Sequence, residues 1–402
     1  MPELHARLSA SGAHRWLRCP GSIKLEKSYP DTDSIYTEEG TVAHFLAEKK
    51  LRAYFGKDTQ KNALRSQKRA AAKMHQALVD KAKGAGVEID TFEQMERYTD
   101  IYLEKAKEDT LGFKTEPVVF IEEMVNFDLW VPEGFGTADC IMLANERMII
   151  TDFKYGKGVK VDPEKNEQLM LYALGAYQRY GMIFPIKNVT LQIIQPRIEN
   201  IDSWGISMKE LLRWADEAVA PIAIEAYNGS DKLEPGDHCR FCKAKAQCPK
   251  RAEKMFQAVE EIKENVKDIK LLGPEQLGYY LKKSLGITEW IKDMEEEALD
   301  SILKGEPVPG FKAVEGRSIR AFKDQDQAME TLIKKGYKPE ILFERKALSL
   351  SKLEKLIGKK EFNDLVGDQI IKPQGKPTLV EESDKRQSYV ANDATKMFEE
   401  QR

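Results

Sequence analysis

The sequence predicts an α/β protein with a mixed central sheet flanked by helices. Three observations carry that reading. Two apolar runs, Phe135 to Leu143 and Arg147 to Lys154, are separated by a tight turn and read as paired strands. A helical period follows from Pro163 to Tyr177. Another apolar strand, Val189 to Gln195, then precedes Pro196-Arg197. Strand, strand, helix, strand places the connecting helix over one sheet face.

The remaining elements follow in chain order. Thr37 to Glu48 reads as an amphipathic helix carrying His44, and helical spacing recurs at 62–84, 90–109, 208–226 and 244–265. Val118 to Ile121 is an apolar strand ending in Glu122-Glu123, either of which could join a site formed by the later strands. Ala144 to Arg147 supplies the tight turn, and Pro163 suits the first turn of its helix. Pro274 to Leu303 reads as a long helix, ended by the Gly305 to Gly310 break. Phe311 to about Val366 reads as a small α-rich module, with helices at Asp324 to Lys335 and Ser351 to Leu356 and a turn at Gly336 to Pro339. Gly316 to Arg320 is locally basic, as a nucleic-acid contact or simply a polar turn, and Pro373 to Arg402 is polar. The expected organisation is a main domain at 1–255, a helical connector at 256–305, a small module at 306–372 and a polar tail at 373–402.

Composition excludes some functions. A chain of 402 residues that is 42% apolar can build a real core. Its 63 basic and 66 acidic residues leave a net charge of −3, so it is no generic polyanion binder, and any DNA groove must come from local patches. One such patch is Lys57 to Lys73, where Lys61, Arg65, Lys68, Arg69 and Lys73 punctuate a helix that is either a solvated face or a DNA-entry element. No run approaches the ~20 apolar residues of a membrane span. No G-x-x-x-x-G-K-[ST] phosphate loop occurs, so motor activity is not encoded here.

Asp152-Phe153-Lys154 closes an apolar strand, and side-chain alternation puts Asp152 and Lys154 on one face. A carboxylate there can hold a hard divalent cation, while the ammonium offsets charge on a phosphate. Alone, this pattern is equally a charged strand end. The hairpin strengthens the site reading, because it brings Asp139 beside Asp152, and two neighbouring carboxylates repel unless a cation lies between them. Gly136 leaves room for close approach on the same strand. Gln168 and Tyr172 are one helical turn apart and share a face, where they contact phosphate, support Lys154 or simply fill the core. His44 is a structural histidine or a third metal ligand.

Five cysteines divide into two sets. Cys140 lies in an apolar strand and reads as a buried structural thiol. Cys239, Cys242 and Cys248 form C-x2-C-x5-C, with Cys19 far upstream as a fourth member. The opening residues lack a secretory signal pattern, so free or metal-bound thiols are expected rather than disulfides. Four thiolates suit zinc or an iron–sulfur cluster, and His14 and His238 keep a zinc site open.

The order Gly40…His44, Gly136…Asp139, Asp152-Phe153-Lys154 and Gln168…Tyr172 resembles the motifs of the RecB-like branch of the PD-(D/E)XK nuclease superfamily, over roughly residues 1–255. The resemblance implies a restriction-endonuclease-like core with extra helices and a small α-rich C-terminal module. It also implies Mg²⁺ or Mn²⁺ held by His44, Asp139, Asp152 and the carbonyl of Phe153. Lys154 would be the catalytic lysine, supported by Gln168 and Tyr172. The proline of the family's name is absent, since Ala138 precedes Asp139. The cysteine spacing resembles the iron–sulfur staple of AddB-type helicase–nucleases and CRISPR-adaptation nucleases, implying a [4Fe-4S] cluster on Cys19, Cys239, Cys242 and Cys248, with Zn²⁺ as the alternative. The whole layout resembles a family of phage and prophage proteins, implying a bacterial cytoplasmic setting in DNA replication or recombination. The expected function is a metal-dependent deoxyribonuclease, an exonuclease on single- or double-stranded DNA ends, with a single-strand-binding or annealing protein as partner and no membrane. The alternatives are a non-catalytic DNA-binding recombination partner and a zinc-stabilised phage adaptor.

Overall fold

The computed structural model describes residues 6–29, 34–56, 63–266, 272–314, 325–335, 338 and 358–366. The chain divides into two units, Met1–Ala313 and Val314–Arg402. The first opens with two short helices, α1 (Ala13–Trp16) and α2 (Ser22–Leu25), then α3 (Ile35–Tyr54), α4 (Ala63–Gly84) and α5 (Phe92–Leu111). Side chains fix the starts of two of these. Ser34 accepts from the Thr37 N–H, and Thr91 with Gln94 forms a reciprocal box that sets α5 two residues later than the sequence suggests.

Five strands follow: β1 (Val118–Asn126), β2 (Phe135–Ala144), β3 (Arg147–Phe153), β4 (Asn188–Gln195) and β5 (Asn200–Ser207), with α6 (Glu167–Tyr180) between β3 and β4. They form one open sheet in the order β1-β2-β3-β4-β5. Only the β3–β4 step is parallel, because α6 carries the chain back across the sheet; every other pair is antiparallel. The hairpin turn works because Asn145 takes φ 53°, a left-handed conformation asparagine tolerates.

The sheet is covered on both faces, which is why its central strands read as nearly unbroken apolar runs. Ile141, Leu143, Met148 and Ile150 pack with α6 and α1 in one core. Their neighbours Cys140, Met142, Ile149 and Phe153 pack with α3 and α5 in the other. Gly175 lets α6 settle on β1, since a Cβ there would stand 2.9 Å from Val125 and 3.1 Å from the Asn126 carbonyl.

Around the sheet, two boundaries and one strand differ from expectation. The first strand runs on to Asn126 through the glutamate pair, because both glutamates find partners. The α6 helix begins at Glu167 rather than near Pro163: Lys165 turns the chain at φ 51° and Asn166 caps Leu169. Edge strand β5 was not anticipated, since its exposed Asp202 and Ser203 interrupt any apolar alternation. The Ser203 N–H is bonded by Asp202 Oδ1 at 2.8 Å.

Downstream, α7 (Met208–Trp214) continues through one widened turn, Ala215–Val219, into α8 (Ala220–Tyr227). Pro221 sits in the first turn of α8, so the widened turn accommodates its ring and missing N–H. Helix α9 (Pro249–Val266) starts five residues later than the periodicity suggests, because 244–248 is the loop carrying Cys248. Helix α10 (Pro274–Leu303) completes this unit. In the second unit the described residues form α11 (Gln325–Lys334) and α12 (Lys359–Val366), with Met329 and Phe362 buried. The expectations for Gly316 to Arg320, Gly336-Tyr337, Pro339, Ser351 to Leu356 and 373–402 lie outside the described residues.

Candidate active site

Strand pairing assembles the site at one end of the sheet. Cys140 lies opposite Thr151, and the same register carried one step further sets Asp139 against Asp152. Both carboxylates are buried. Asp139 Oδ2 accepts from the Phe153 N–H at 2.7 Å, so the strand end itself holds that side chain. Its other oxygen lies 3.6 Å from His44 Nδ1, which arrives from α3 on the opposite layer. The Phe153 ring stacks on Tyr102 at 4.9 Å and meets His44 edge-on at 5.3 Å, a rigid backing for this corner.

Helix α6 supplies the other wall. Gln168 Nε2 donates to Asp152 Oδ1 at 3.0 Å, and Gln168 Oε1 accepts from Lys154 Nζ at 3.1 Å. The same amide nitrogen lies 3.2 Å from the Tyr172 hydroxyl. Lys154 Nζ also pairs with Asp152 Oδ2 at 3.0 Å. Gly136 is what admits Tyr172: a Cβ there would lie 2.9 Å from the ring. The expected close approach at this glycine is therefore made by a tyrosine.

The electrostatics favour a cation. Burial, reinforced by the Asp152 charge, raises the Asp139 carboxyl, against the opposing pull of His44, the Phe153 N–H and Lys154. Burial works against the Lys154 ammonium, but Asp152 and Asp139 more than offset it, so its pKa is raised and it stays charged. Burial and the same two carboxylates push Tyr172 upward, which keeps its phenol protonated.

The convergent donor set differs from the expected His44, Asp139 and Asp152. His44, Glu122 and Asp139 bring one ligand atom each within 4.8 Å of one another. Asp152 is turned toward α6, because Gln168 and Lys154 hold it there. Glu122 takes φ 48° in mid-strand while pairing continues on both sides, Ile121 with Cys140 and Glu123 with Ala138. A left-handed non-glycine residue costs on the order of 1–3 kcal/mol, and such strain concentrates at working sites. Glu123 instead serves Tyr180 at 2.7 Å and Arg179 at 3.2 Å. Phe153 contributes its N–H to the site as described. A mixed imidazole and carboxylate set fits a hard divalent ion such as Mg²⁺ or Mn²⁺.

Two buried scaffolds behind the site were not read from the sequence. Arg197, which follows β4, bonds Glu39 of α3 at 2.9 Å, Asp90 at 2.9 Å and the Tyr155 carbonyl at 3.1 Å. It thereby ties the helical layer to the segment after Lys154. Gln195 donates to the Gly156 and Val159 carbonyls at 2.8 and 2.7 Å and accepts from Val161, clamping the loop that leaves Lys154. The only signal for either was a polar Gln-Pro-Arg run ending an apolar strand. On α4, Lys68 is engaged by Glu96 at 2.9 Å, so it serves packing against α5.

A cavity of about 1540 Å³ opens beside Lys154 and Gln168. It runs past α1, the N-terminus of α6 and the β5–α7 corner to Phe241. Next to it lie the four expected cysteines, Cys19, Cys239, Cys242 and Cys248, all lining one small pocket and all free thiols. Cys19 Sγ accepts from the Glu234 N–H at 3.4 Å and Cys239 Sγ from Gly236 at 3.3 Å. Burial raises the Cys19 thiol and pushes Cys242 up to about 12. His238 Nε2 is committed to the Glu234 carbonyl at 2.7 Å, and His14 Nδ1 lies 3.4 Å from Glu167. Cys140 is buried in the sheet core as expected. No helix among the described residues is long and apolar enough to cross a membrane.

Residues 5–387 match the family described as "Protein of unknown function (DUF2800)", and the chain belongs to that family. A solved structure titled "Crystal structure of SSO0001" is similar at 13% identity, covering 59% of this chain and 95% of that one, with a TM-score of 0.23.

Proposed function

We propose that this DUF2800 chain is a metal-dependent deoxyribonuclease with a PD-(D/E)XK-type core, acting as an exonuclease on DNA ends. One observation carries the reading: buried Asp152 pairs with half-buried Lys154 at 3.0 Å, both are bridged by Gln168 next to buried Asp139, and Lys154 and Gln168 line a large groove. A structural ion pair would not need a second buried carboxylate beside it.

His44, Glu122 and Asp139 would hold Mg²⁺ or Mn²⁺, with Asp152 beside Asp139 and held toward Lys154 by Gln168. A bound divalent ion supplies Lewis-acid polarisation of the phosphate and a more acidic water. The chain's own residues do the rest. Lys154, kept cationic by its two carboxylates, neutralises charge gathering on the phosphoryl oxygens. Gln168 holds Lys154 and Asp152 in register, and Tyr172 offers a protonated phenol beside them. The loop clamped by Gln195 fixes the backbone that leaves Lys154. No separate base-reading module is evident among the described residues, which favours an end-directed enzyme over a sequence-specific one.

The four cysteines lining one small pocket support a [4Fe-4S] staple, with zinc as the alternative. Joining Cys19 to Cys239 closes a loop of 220 positions, which makes the clip strongly stabilising.

The test is cleavage of end-labelled linear DNA, single- and double-stranded, with Mn²⁺ or EDTA, by anaerobically purified protein and Asp152→Ala. Metal-dependent degradation lost in the variant is expected. Equal cleavage by both proteins would assign the activity to a contaminant. No cleavage by either folded protein would leave a DNA-binding partner as the better reading.

A further inference from the structure

The cavity at Lys154 exceeds the roughly 300–1,000 Å³ of small-molecule pockets. Three aromatic residues line it: Trp204 on edge strand β5, Trp214 at the end of α7, and Phe241 between two of the cysteines. The tryptophans are half-buried with their inner surfaces on the core, while Phe241 is 60% exposed. Arg15 holds the Phe241 carbonyl at 3.1 Å, so the exposed ring is mounted on a fixed loop. Cations line the same cavity, interspersed with carboxylates. Lys27 and Lys165 are in no ion pair among the described residues, and Arg18 pairs with Glu167 at 2.7 Å while remaining 44% exposed.

We infer that this groove is the path of a single DNA strand, with unstacked bases against Trp204, Trp214 and Phe241 and phosphates along Lys27, Lys165 and Arg18. Flat aromatic faces beside cations suit bases whose rings are free, because stacking needs no sequence and duplex bases hide their faces. Paired bases would leave three half-exposed aromatics without partners. The inference rests on the deoxyribonuclease reading for its substrate and deepens it: the strand enters between the cysteine loop and the sheet edge and delivers its backbone to Lys154. Phe241 thereby gives the cysteine loop a part in holding substrate.

The experiment separates binding from cleavage. Full-length, cluster-loaded protein is titrated in EDTA against a fluorescein-labelled oligo(dT) and a blunt duplex of equal length, by anisotropy. The single strand is expected to bind at least tenfold tighter. Phe241→Ala and Trp204→Ala are each expected to weaken it by roughly 5- to 150-fold, the range for losing one base–aromatic stack, while Trp204→Phe restores most of the loss. Lys27→Gln and Lys165→Gln should each lower the salt dependence of binding by somewhat less than one ion. Equal or tighter duplex binding, or aromatic variants that bind like wild type, would overturn the path. Metal-dependent cleavage that persists in that case keeps the nuclease reading while removing this one; tight, aromatic-dependent binding without cleavage does the reverse.

Discussion

Gln168 and Asp152 are joined by one hydrogen bond, from the amide nitrogen to Oδ1 at 3.0 Å, and that bond decides which way the carboxylate faces. Because the amide oxygen accepts from Lys154 at the same time, one neutral side chain sets two charged ones. Gln168→Leu removes both bonds without adding charge. Its expected effect is a fall of about 10- to 100-fold in kcat at saturating Mn²⁺, the usual cost of losing a group that orients a ligand. Single-turnover cleavage against an unchanged unfolding midpoint checks it.

Glu122 combines a strained backbone with a ligand position. Glu122→Gly relieves φ 48°, and after the entropic cost of glycine the expected gain in stability is up to about 1 kcal/mol. Mn²⁺ affinity, read by calorimetry, should fall in the same variant. A stability loss with metal binding intact would show that the glutamate is held for packing.

Burial raises Asp139, and the sign of its effect on folding follows. The folded state takes up this proton more readily than the unfolded chain. The stabilising contribution is full below the ordinary aspartate value near ~3.9 and is lost as pH rises through the raised folded value. In EDTA at neutral pH, Asp139→Asn is therefore expected to be more stable than wild type, and below the ordinary value the advantage should vanish. Urea unfolding of both proteins across that pH range is the measurement. Saturating Mn²⁺ should reverse the order at neutral pH.

Arg197 and Glu39 have side chains 4% and 1% exposed. Arg197→Met leaves Glu39 and Asp90 buried against one another, so a loss of about 3–5 kcal/mol is expected. The denaturant midpoint reads this. Replacing Arg197 and Glu39 together by apolar residues should cost less than the single change.

Cys19 lies far from its partners in sequence and beside them in space. Anaerobic protein is expected to be brown and to carry about four irons, since four thiolates match one cubane. Cys19→Ser should lose the colour and speed amide hydrogen exchange at 13–25 and 233–248 together. A colourless protein with stoichiometric zinc would replace the cluster with the alternative.

The legible parts of the fold were those fixed by local pattern. The β2–β3 hairpin announced itself through two apolar runs and an Asn turn, and α6 through its period; from these alone Asp139, Asp152, Lys154 and Gln168 fall together. Glu122 and Glu123 were both legible as candidates, but the choice between them was not, because it depends on a left-handed residue inside a strand and no periodicity encodes that. The Arg197 network resisted for a different reason: Glu39, Asp90 and Arg197 are joined only by tertiary packing. Strand β5 was hidden because an edge strand needs no apolar face on its outer side, so its polar residues read as loop. Cys19 was legible by residue type, but its convergence with Cys239, Cys242 and Cys248 required the fold.

The hydrogen bond from Ser203 to Asp202 on strand β5 has a consequence for how this molecule meets its own copies. An open sheet ends in a strand whose backbone groups can recruit another chain. On β5 the Ser203 N–H is answered by the exposed carboxylate of Asp202. A chain docking there would have to displace that carboxylate and carry its charge into the new pairing. The β5 edge is thereby a poorer template for edge-to-edge growth into fibres.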